Sequence, residues 1–454
     1  MQFELTKESV DQLKEAIELG RDSWLSEQLV ELHPVDIAEL LDRLNIREAE
    51  YVYRLLDEEM TADVLVELDE DVREKLMQSL SSKEIAEALE DVETDDAADV
   101  IGELPDEKQE EVLSHIEDEE TVSDIVDLLT YEEDTAGALM GKEMVQVQSD
   151  MTVSRAVREM RKQSENVENV YTVYVTDKDG RLEGFLSLKK LLFSAESTRT
   201  LIKHLSEPDI QYVTPDTPED EVAQKMEKYD LVSIPVVDEH MHLLGRITID
   251  DVVDVMKEEA EKDYQMASGI ATPVESKDKV MALTRARLPW LLIGLLGGVL
   301  VALVISRYEE TLKIDPKLAF FIPLIAAMGG NVGVQSSAII VQGLANNSLQ
   351  LTTIFGRLVK EFMVALLNAS ICALLIFIYN VFFGASYPLS YTVSIALFAV
   401  IIFAALLGTL IPLILDKAKI DPALATGPFI TTLNDIVGLV VYFSVGHIFY
   451  EIPF

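Results

Sequence analysis

The sequence predicts a multidomain chain. It comprises an all-α superhelical N domain, a pair of α/β units, a long connecting helix and a polytopic α-helical membrane domain with five transmembrane helices. Three observations predict this. Charge is partitioned: 70 of the 80 acidic and 26 of the 37 basic residues lie within the first 270, giving about −44 there and about +1 beyond. Apolar residues recur every twelve positions between residues 30 and 130. Five apolar windows follow one another after residue 280. Such asymmetry argues for separate modules.

The N domain, taken as 1–135, carries the repeat. Leu44, Leu56, Leu68, Leu80, Val92, Leu104, Ile116 and Leu128 form one register. A second runs three residues ahead, through Leu41, Tyr53, Leu65, Met77, Leu89, Ile101, Leu113 and Ile125. Apolar pairs at i, i+3 make a short stripe on a helix. Turn and cap residues such as Asp57, Ser81-Ser82 and Pro105-Asp106 recur between the stripes, so the domain reads as a superhelix of short helices with a core of its own. A coiled coil is disfavoured by Pro34, Pro105 and the twelve-residue period.

From about 140 the pattern alternates between helix and strand. MTVSRAVREMRKQ (151–163) is amphipathic; YTVYVTDKDGRLEGFLSL reads strand, turn, strand, with a helix near Lys189–Ala195. The order returns in DTPEDEVAQKMEKYD, LVSIPVVDEHMHLLGRITI and DDVVDVMKEEAEK. The units span 136–200 and 201–256, and both resemble cystathionine-β-synthase-type (CBS) domains, which act as ligand-sensing modules. A charged helix, roughly Ile249–Gly269 within a 249–275 connection, leads to the membrane part.

The windows near 286–306, 317–343, 358–383, 390–415 and 423–449 each supply the roughly 20 apolar residues of a span within a 276–454 membrane domain. MQFELTKESVDQLKE lacks a basic start and an apolar h-region, so the front half is expected in the cytosol. Arg285/Arg287, Arg357/Lys360 and Lys417/Lys419 flank alternate span ends. The positive-inside rule then places the N-terminus inside and the C-terminus outside the cytoplasmic membrane. Cys372 is the sole cysteine, so no intrachain disulfide or thiolate cluster forms. His240 and His242 fall in an expected hairpin turn and suggest no transition-metal site.

Two spans hold chemistry. FFIPLIAAMGGNVGVQSSAIIVQGL contains Pro323, Gly329, Gly330, Asn331, Gly333, Gln335, Ser336 and Ser337. Gly and Pro can open a helix where it lines a cavity, or they can serve close helix packing. DPALATGPFITTLNDIVGLVVYFSVGHIF contains Asp435, thirteen residues after Pro422, about 20 Å along one continuous helix. A carboxylate at that depth normally faces a cavity, partner or ion route. It is read as the only one well inside a span, with Glu361 at a span entrance. Thr431, Thr432 and Asn434 add oxygens nearby. Carboxylate, amide and carbonyl oxygens suit a hard cation, and Mg²⁺ uses one or two carboxylates while keeping water.

The whole arrangement resembles the MgtE family of bacterial magnesium channels, most specifically in MGGNVGVQSS (328–337) and DPALATGPFITTLND (421–435). The resemblance implies a homodimer with the pore between subunits, inward Mg²⁺ conduction, and closure at high cytosolic Mg²⁺. It places the selectivity carboxylate at Asp435; the span residues read above as lining the path with it are Gly329, Gly330, Asn331, Thr431 and Asn434. It places sensing carboxylates at Asp63, Asp95 and Asp99, at Asp220 and Asp230, at Asp251, Asp254, Glu259 and Asp263, and at Asp421. Pro218 and Lys262 stand where the pattern has acidic residues. The family's CBS pair can also bind adenine nucleotide; no residue is assigned to that pocket.

The leading reading is a Mg²⁺ channel gated by cytosolic Mg²⁺. Alternatives are a transporter of Co²⁺ or Mn²⁺, or a non-conducting membrane-anchored sensor. An enzyme is disfavoured, since the chain has no P-loop, GxSxG elbow or HExxH motif. The acidic half disfavours nucleic acid as a partner.

Overall fold

The computed structural model describes residues 6–450 apart from 91, 165, 166, 168, 194–197, 276, 277, 346–353 and 426. It forms two compact units, 1–256 and 257–454.

The first unit begins with ten short helices: α1 (Lys7–Glu18), α2 (Asp22–Leu29), α3 (Pro34–Leu41), α4 (Ile46–Tyr53), α5 (Glu58–Glu67), α6 (Glu70–Ser79), α7 (Ser82–Leu89), α8 (Thr94–Gly102), α9 (Asp106–Leu113) and α10 (Glu119–Leu128). The twelve-residue period is one helix of eight to ten residues plus its connection. Its two registers do different work. Leu41, Tyr53, Leu65, Met77, Leu89 and Ile101 are buried in the last turns of α3 to α8. Leu44, Leu56, Leu68, Leu80, Val92 and Leu104 come just after those helices end. The expected i, i+3 stripe therefore straddles each C-terminus, where an apolar residue beyond the cap seals the last turn. The next helix starts on a side-chain cap: Ser81 and Glu84 close a capping box at α7, as Asn45 and Glu48 do at α4.

Both α/β units follow. In the first, β1 (Val145–Gln148), α11 (Val153–Gln163), β2 (Val173–Thr176), β3 (Leu182–Leu186) and α12 (Leu188–Phe193) appear in the expected order. The last two residues of the expected 189–195 helix lie outside the described residues. β1 runs parallel to β2, and β2 antiparallel to β3. The second unit repeats this with α13 (Glu219–Tyr229), β4 (Ser233–Val237) and β5 (Leu243–Thr248), Val213 bridging Val236 in parallel. The connecting helix α14 (Ile249–Ala267) starts directly from β5.

The core departs from the expectation of a self-contained N domain. One apolar cluster runs from Val10 through the helical repeat and on through Val213, Met226, Ile234, Ile247 and Val255. The helical domain thus shares its core with the second α/β unit, while the first α/β unit has a cluster of its own around Val145, Val173 and Ile202.

Among the described residues of the second unit, five helices are long and apolar enough to cross a membrane. They are α15 (Val280–Arg307), α17 (Ile322–Ala345), α18 (Ile354–Phe382), α19 (Tyr387–Lys417) and α20 (Pro428–Phe449), with the short α16 (Glu309–Ile314) after the first. α19 is the centre, packed against α17, α18 and α20, and α15 packs on α20. Residues 451–454, expected outside the membrane, lie outside the described residues.

Two expectations are corrected here. α17 runs unbroken through Gly329, Gly330 and Gly333 rather than opening there. Pro323 sits in its first turn, where a missing N–H costs nothing. The fifth span is not one helix from Pro422, because Pro422–Ala425 is a separate 3₁₀ turn and Gly427, at φ 60°, redirects the chain. Asp435 therefore lies seven residues into α20, about 10 Å along it rather than 20. Glu361 lies seven residues into α18, as far from its helix start as Asp435 is from the start of α20.

Candidate functional site

The membrane site is built on three helices meeting at glycines. A Cβ on Gly330 would touch Thr431 at 3.4 Å, one on Gly329 would press Val400 at 3.2 Å, and one on Gly333 would collide with Asn434 Nδ2 at 2.0 Å. Gly408 of α19 approaches the Gly333 carbonyl as closely, at 2.4 Å for an added Cβ. The three glycines of α17 thus serve close packing. The polar residues of the same helix divide. Asn331 and Gln335, one turn apart, are exposed on the chain, whereas Ser336 and Ser337 are buried. Ser336 donates to Glu361 Oε1 at 2.6 Å, tying α17 to α18.

Asp435 is half-buried on α20. Thr431, one turn earlier, spends its hydroxyl on the Gly427 and Pro428 carbonyls, each at 3.1 Å. Asn434 is 2 % exposed and turned into the α17 contact. Of the predicted path residues, Asn331 and Asp435 remain accessible, while Gly329, Gly330 and Asn434 are buried in packing.

The end of the connecting helix sits on the start of α20. A Cβ on Gly427 would meet the Ala267 carbonyl at 2.6 Å, and one on Gly269 would meet Pro428 at 2.7 Å. Gln265 fixes the chain that follows through two hydrogen bonds of 2.9 Å with Val274. Beside this junction, burial and then the charges of Glu259 and Asp421 push the Asp263 carboxyl above its usual range. Lys262, at the departing position, pairs with Glu259 at 3.3 Å. Asp421 accepts from the Ala423 N–H at 2.7 Å.

A second carboxylate group lies within the first unit. Glu93, Asp95 and Glu143 present oxygens that all lie within 4.8 Å of one another. Glu143 caps α8 by accepting from the Thr94 N–H and hydroxyl, both at 3.0 Å. Glu93 pairs with Arg246. Asp95 packs against Gly141, and its Oδ1 is buried without a hydrogen-bond partner. Burial, reinforced by Asp96 and Asp251, raises the Asp95 carboxyl well above its ordinary range. Burial and then Asp251 and Asp99 push Asp96 up to about 7. Asp251 accepts from Thr248 N and Oγ1 at 3.0 and 2.6 Å. Glu67 is raised by burial and then by Asp254. So the structure gathers Asp95, Asp99, Asp251 and Asp254 with four carboxylates the sequence did not single out: Glu67, Glu93, Asp96 and Glu143. Asp63 lies beside this group and is exposed; Asp220 and Asp230 are exposed on α13 and at its C-cap, where Pro218 is the N-cap. Glu93, Asp95, Asp96, Glu143 and Asp251 are partly buried and Glu67, Asp99 and Asp254 exposed; repulsion among carboxylates so grouped is relieved by protons or by a cation, and the oxygen-only donor set fits Mg²⁺ or Ca²⁺. His240 and His242 lie at the β4–β5 turn, His242 Nδ1 2.8 Å from Asp238 Oδ2.

Comparison with known proteins finds family matches in the helical domain, in both α/β units and in the membrane part. Residues 322–445 match the family model described as a divalent cation transporter, and 32–134 the model of the MgtE intracellular N domain. CBS models match 136–196 and 202–258. The magnesium transporter MgtE of Thermus thermophilus is 35 % identical over 443 residues, 97 % of this chain and 98 % of that one. Its namesake from Enterococcus faecalis is 37 % identical over 327 residues, 72 % and 71 % of the two chains. The crystal structure of the cytosolic domain of the Mg²⁺ channel MgtE in complex with ATP superposes with a TM-score of 0.50 at 35 % identity. It covers 54 % of this chain and 99 % of that one.

Proposed function

The chain belongs to the MgtE family of magnesium transporters, and from that premise we propose that it is a Mg²⁺-selective channel. It admits Mg²⁺ down its electrochemical gradient and is closed by Mg²⁺ bound to its cytosolic acidic domains. The observation that carries the reading is Asp435: a half-buried carboxylate seven residues into an apolar span, with no Lys or Arg in α20 to neutralise it. A charge so placed is costly unless it serves an ion route. Mg²⁺ gives up its water reluctantly, so one carboxylate acting on a largely hydrated ion suits it better than Ca²⁺, which wants six to eight oxygens.

The path runs between two copies of the chain. Asn331 and Gln335 form a polar face on α17 that a single chain leaves exposed, and a polar face within a bilayer requires water or protein against it. The membrane is the cytoplasmic one, with the acidic unit in the cytosol and the C-terminus outside, as the flanking Lys and Arg pattern favours.

Closure follows from charge. Regulatory Mg²⁺ would be held by Asp95, Asp99, Asp251 and Asp254 in one group and by Glu259, Asp263 and Asp421 in another. It would offset the excess negative charge of those groups. With them neutralised, the compact cytosolic arrangement is favoured; without it, like-charge repulsion opposes compaction. Asp220 and Asp230 lie apart on α13 and at its C-cap, and Asp63 lies at the edge of the first group; they would contribute weaker sites. Several weak sites give a sharper response than one. The junction of Ala267 and Gly269 with Gly427 and Pro428 passes movement of α14 to the start of α20, the helix that carries Asp435. A nucleotide at the CBS pair would be a second ligand, on the strength of the ATP-bound relative.

Flux into proteoliposomes, with Mg²⁺, Ca²⁺, Co²⁺ and Mn²⁺ compared, tests the conduction half. Equal Co²⁺ or Mn²⁺ flux would remove the selectivity claim. For the gate, millimolar Mg²⁺ should protect segments 130–150 and 260–275 from protease. Equal protection by NaCl at matched ionic strength would reduce the effect to screening.

A further inference from the structure

The contact of α17 with α20 contains a group that the packing does not explain. Asn434 is 2 % exposed, and its Nδ2 has no hydrogen-bond partner. It is aimed at Gly333, where an added Cβ would lie 2.0 Å from that nitrogen, and Gly333 is itself pinched against Gly408. A glycine contact that needed only closeness would be served by an apolar residue at 434. A buried amide with its donor unmet destabilises the packing that holds it.

The missing acceptor is not far away. In the unbroken α17 each carbonyl from Gly329 to Gly333 is occupied by the N–H four residues on. If the helix opens at these glycines, which lack the side chain that would resist other backbone angles, those carbonyls are released beside Asn434. The amide then gains in the opened form the bond it lacks in the closed one. Asp435, the next residue, points about 100° away around the helix, so the two neighbours act on different surfaces.

We propose that Asn434 is a positioning residue for conduction: its buried amide is the donor that receives an opened Gly329–Gly333 segment, biasing α17 toward opening without ligating the ion. This rests on the reading of the chain as a Mg²⁺ channel whose path runs along α17 and α20. One unmet donor regained biases the equilibrium by about tenfold.

The test uses the full chain in proteoliposomes. Asn434→Leu keeps the branched shape and the number of heavy atoms and removes the donor. With no Mg²⁺ on the cytosolic side, its Mg²⁺ flux should fall about tenfold, with the Mg²⁺ to Ca²⁺ flux ratio unchanged. Amide hydrogen exchange across 327–337 should slow relative to the unaltered chain. If Asn434→Leu does not assemble, Asn434→Ser, which retains a donor, should keep more flux than Asn434→Ala. A changed Mg²⁺ to Ca²⁺ ratio would make Asn434 an ion ligand and overturn the proposal. Unaltered flux and exchange in Asn434→Leu, or equal flux in the Ser and Ala variants, would overturn it too. Absence of Mg²⁺ flux in the unaltered chain would instead sink the channel reading; the exchange comparison alone would then decide whether Asn434 loosens α17.

Discussion

Arg246 Nη2 lies 3.1 Å from Glu93 Oε1, with 153 positions of chain between them. The same guanidinium donates from Nη1 to the Asn169 carbonyl at 2.8 Å. One buried cation on β5 therefore holds the turn before α8 and the loop before β2. It also offsets part of the negative charge around Glu143 and Asp251.

Removing that cation should be costly. The Arg246 side chain is 5 % exposed and Glu93 27 %, and breaking a buried pair by deleting one partner costs about 3–5 kcal/mol, here discounted to about 2–3 because Glu93 is partly solvated. Arg246→Met should lower the calorimetric melting temperature of the cytosolic transition. The double variant with Glu93→Leu should recover part of the loss. A single variant that melts with the unaltered chain would show the pair to be neutral.

The carboxylate group makes stability depend on pH in an unusual direction. Asp96 is pushed up to about 7 by burial and by Asp251 and Asp99, whereas an unfolded Asp titrates near about 3.9. Between those values the folded state binds protons that the unfolded chain has released, so stability falls as pH rises through the window. In a chelator, the cytosolic transition should melt higher at about pH 6 than at about pH 8. Millimolar Mg²⁺ should raise the value at about pH 8 more than that at about pH 6, because protons and metal compete. Asp96→Asn should shrink the pH difference. A melting temperature that rises from pH 6 to 8 without metal would contradict this account.

These residues also mark what could be read from sequence. Periodicity gave the short helices, since an apolar residue every twelve positions needs no tertiary information. It misassigned Leu68 and Leu80 to helix stripes because local spacing cannot show where a helix ends. Asp95 and Asp251 were reached through the family resemblance, but Glu93 and Glu143 join them only because the Arg246 and Thr94 contacts fold residues 93 and 143 together, and no spacing encodes that. In the membrane half, hydropathy located the five long apolar helices found among the described residues. It could not distinguish a glycine that opens a helix from one that seats Thr431 or Gly408, and it read Gly427 through as helix, which put Asp435 too deep.

Lys262 gives a direct test of the regulatory group at the end of α14. It pairs with Glu259 at 3.3 Å and lowers the otherwise raised Asp263 carboxyl. An internal cation in this group competes with an external one. Lys262→Glu should therefore shift Mg²⁺ closure to lower concentration by about tenfold, about 1.4 kcal/mol, in flux assays with cytosolic Mg²⁺ varied. Lys262→Gln should give an intermediate shift. An unmoved or higher closing concentration would remove the 259–263 group from sensing.

Asp435 and Glu361 each lie seven residues into a span, which lets one comparison separate their roles. Glu361 accepts a hydrogen bond from Ser336 at 2.6 Å and thereby joins α18 to α17. A glutamine there keeps an oxygen for Ser336, so Glu361→Gln should leave Mg²⁺ flux within about threefold of the unaltered chain, the range of one neutral hydrogen bond exchanged for a charged one. Asp435 is different: what it supplies to a passing cation is charge. Asp435→Asn keeps its size and removes that charge, so flux should fall by about two orders of magnitude, about 3 kcal/mol in the barrier to permeation. Surface labelling should confirm that both variants are inserted. Loss in both would make Glu361 a second carboxylate of the path. Loss in Glu361→Gln alone would move the ion route from α20 to the α17–α18 contact, and Asp435 would then be a buried structural acid.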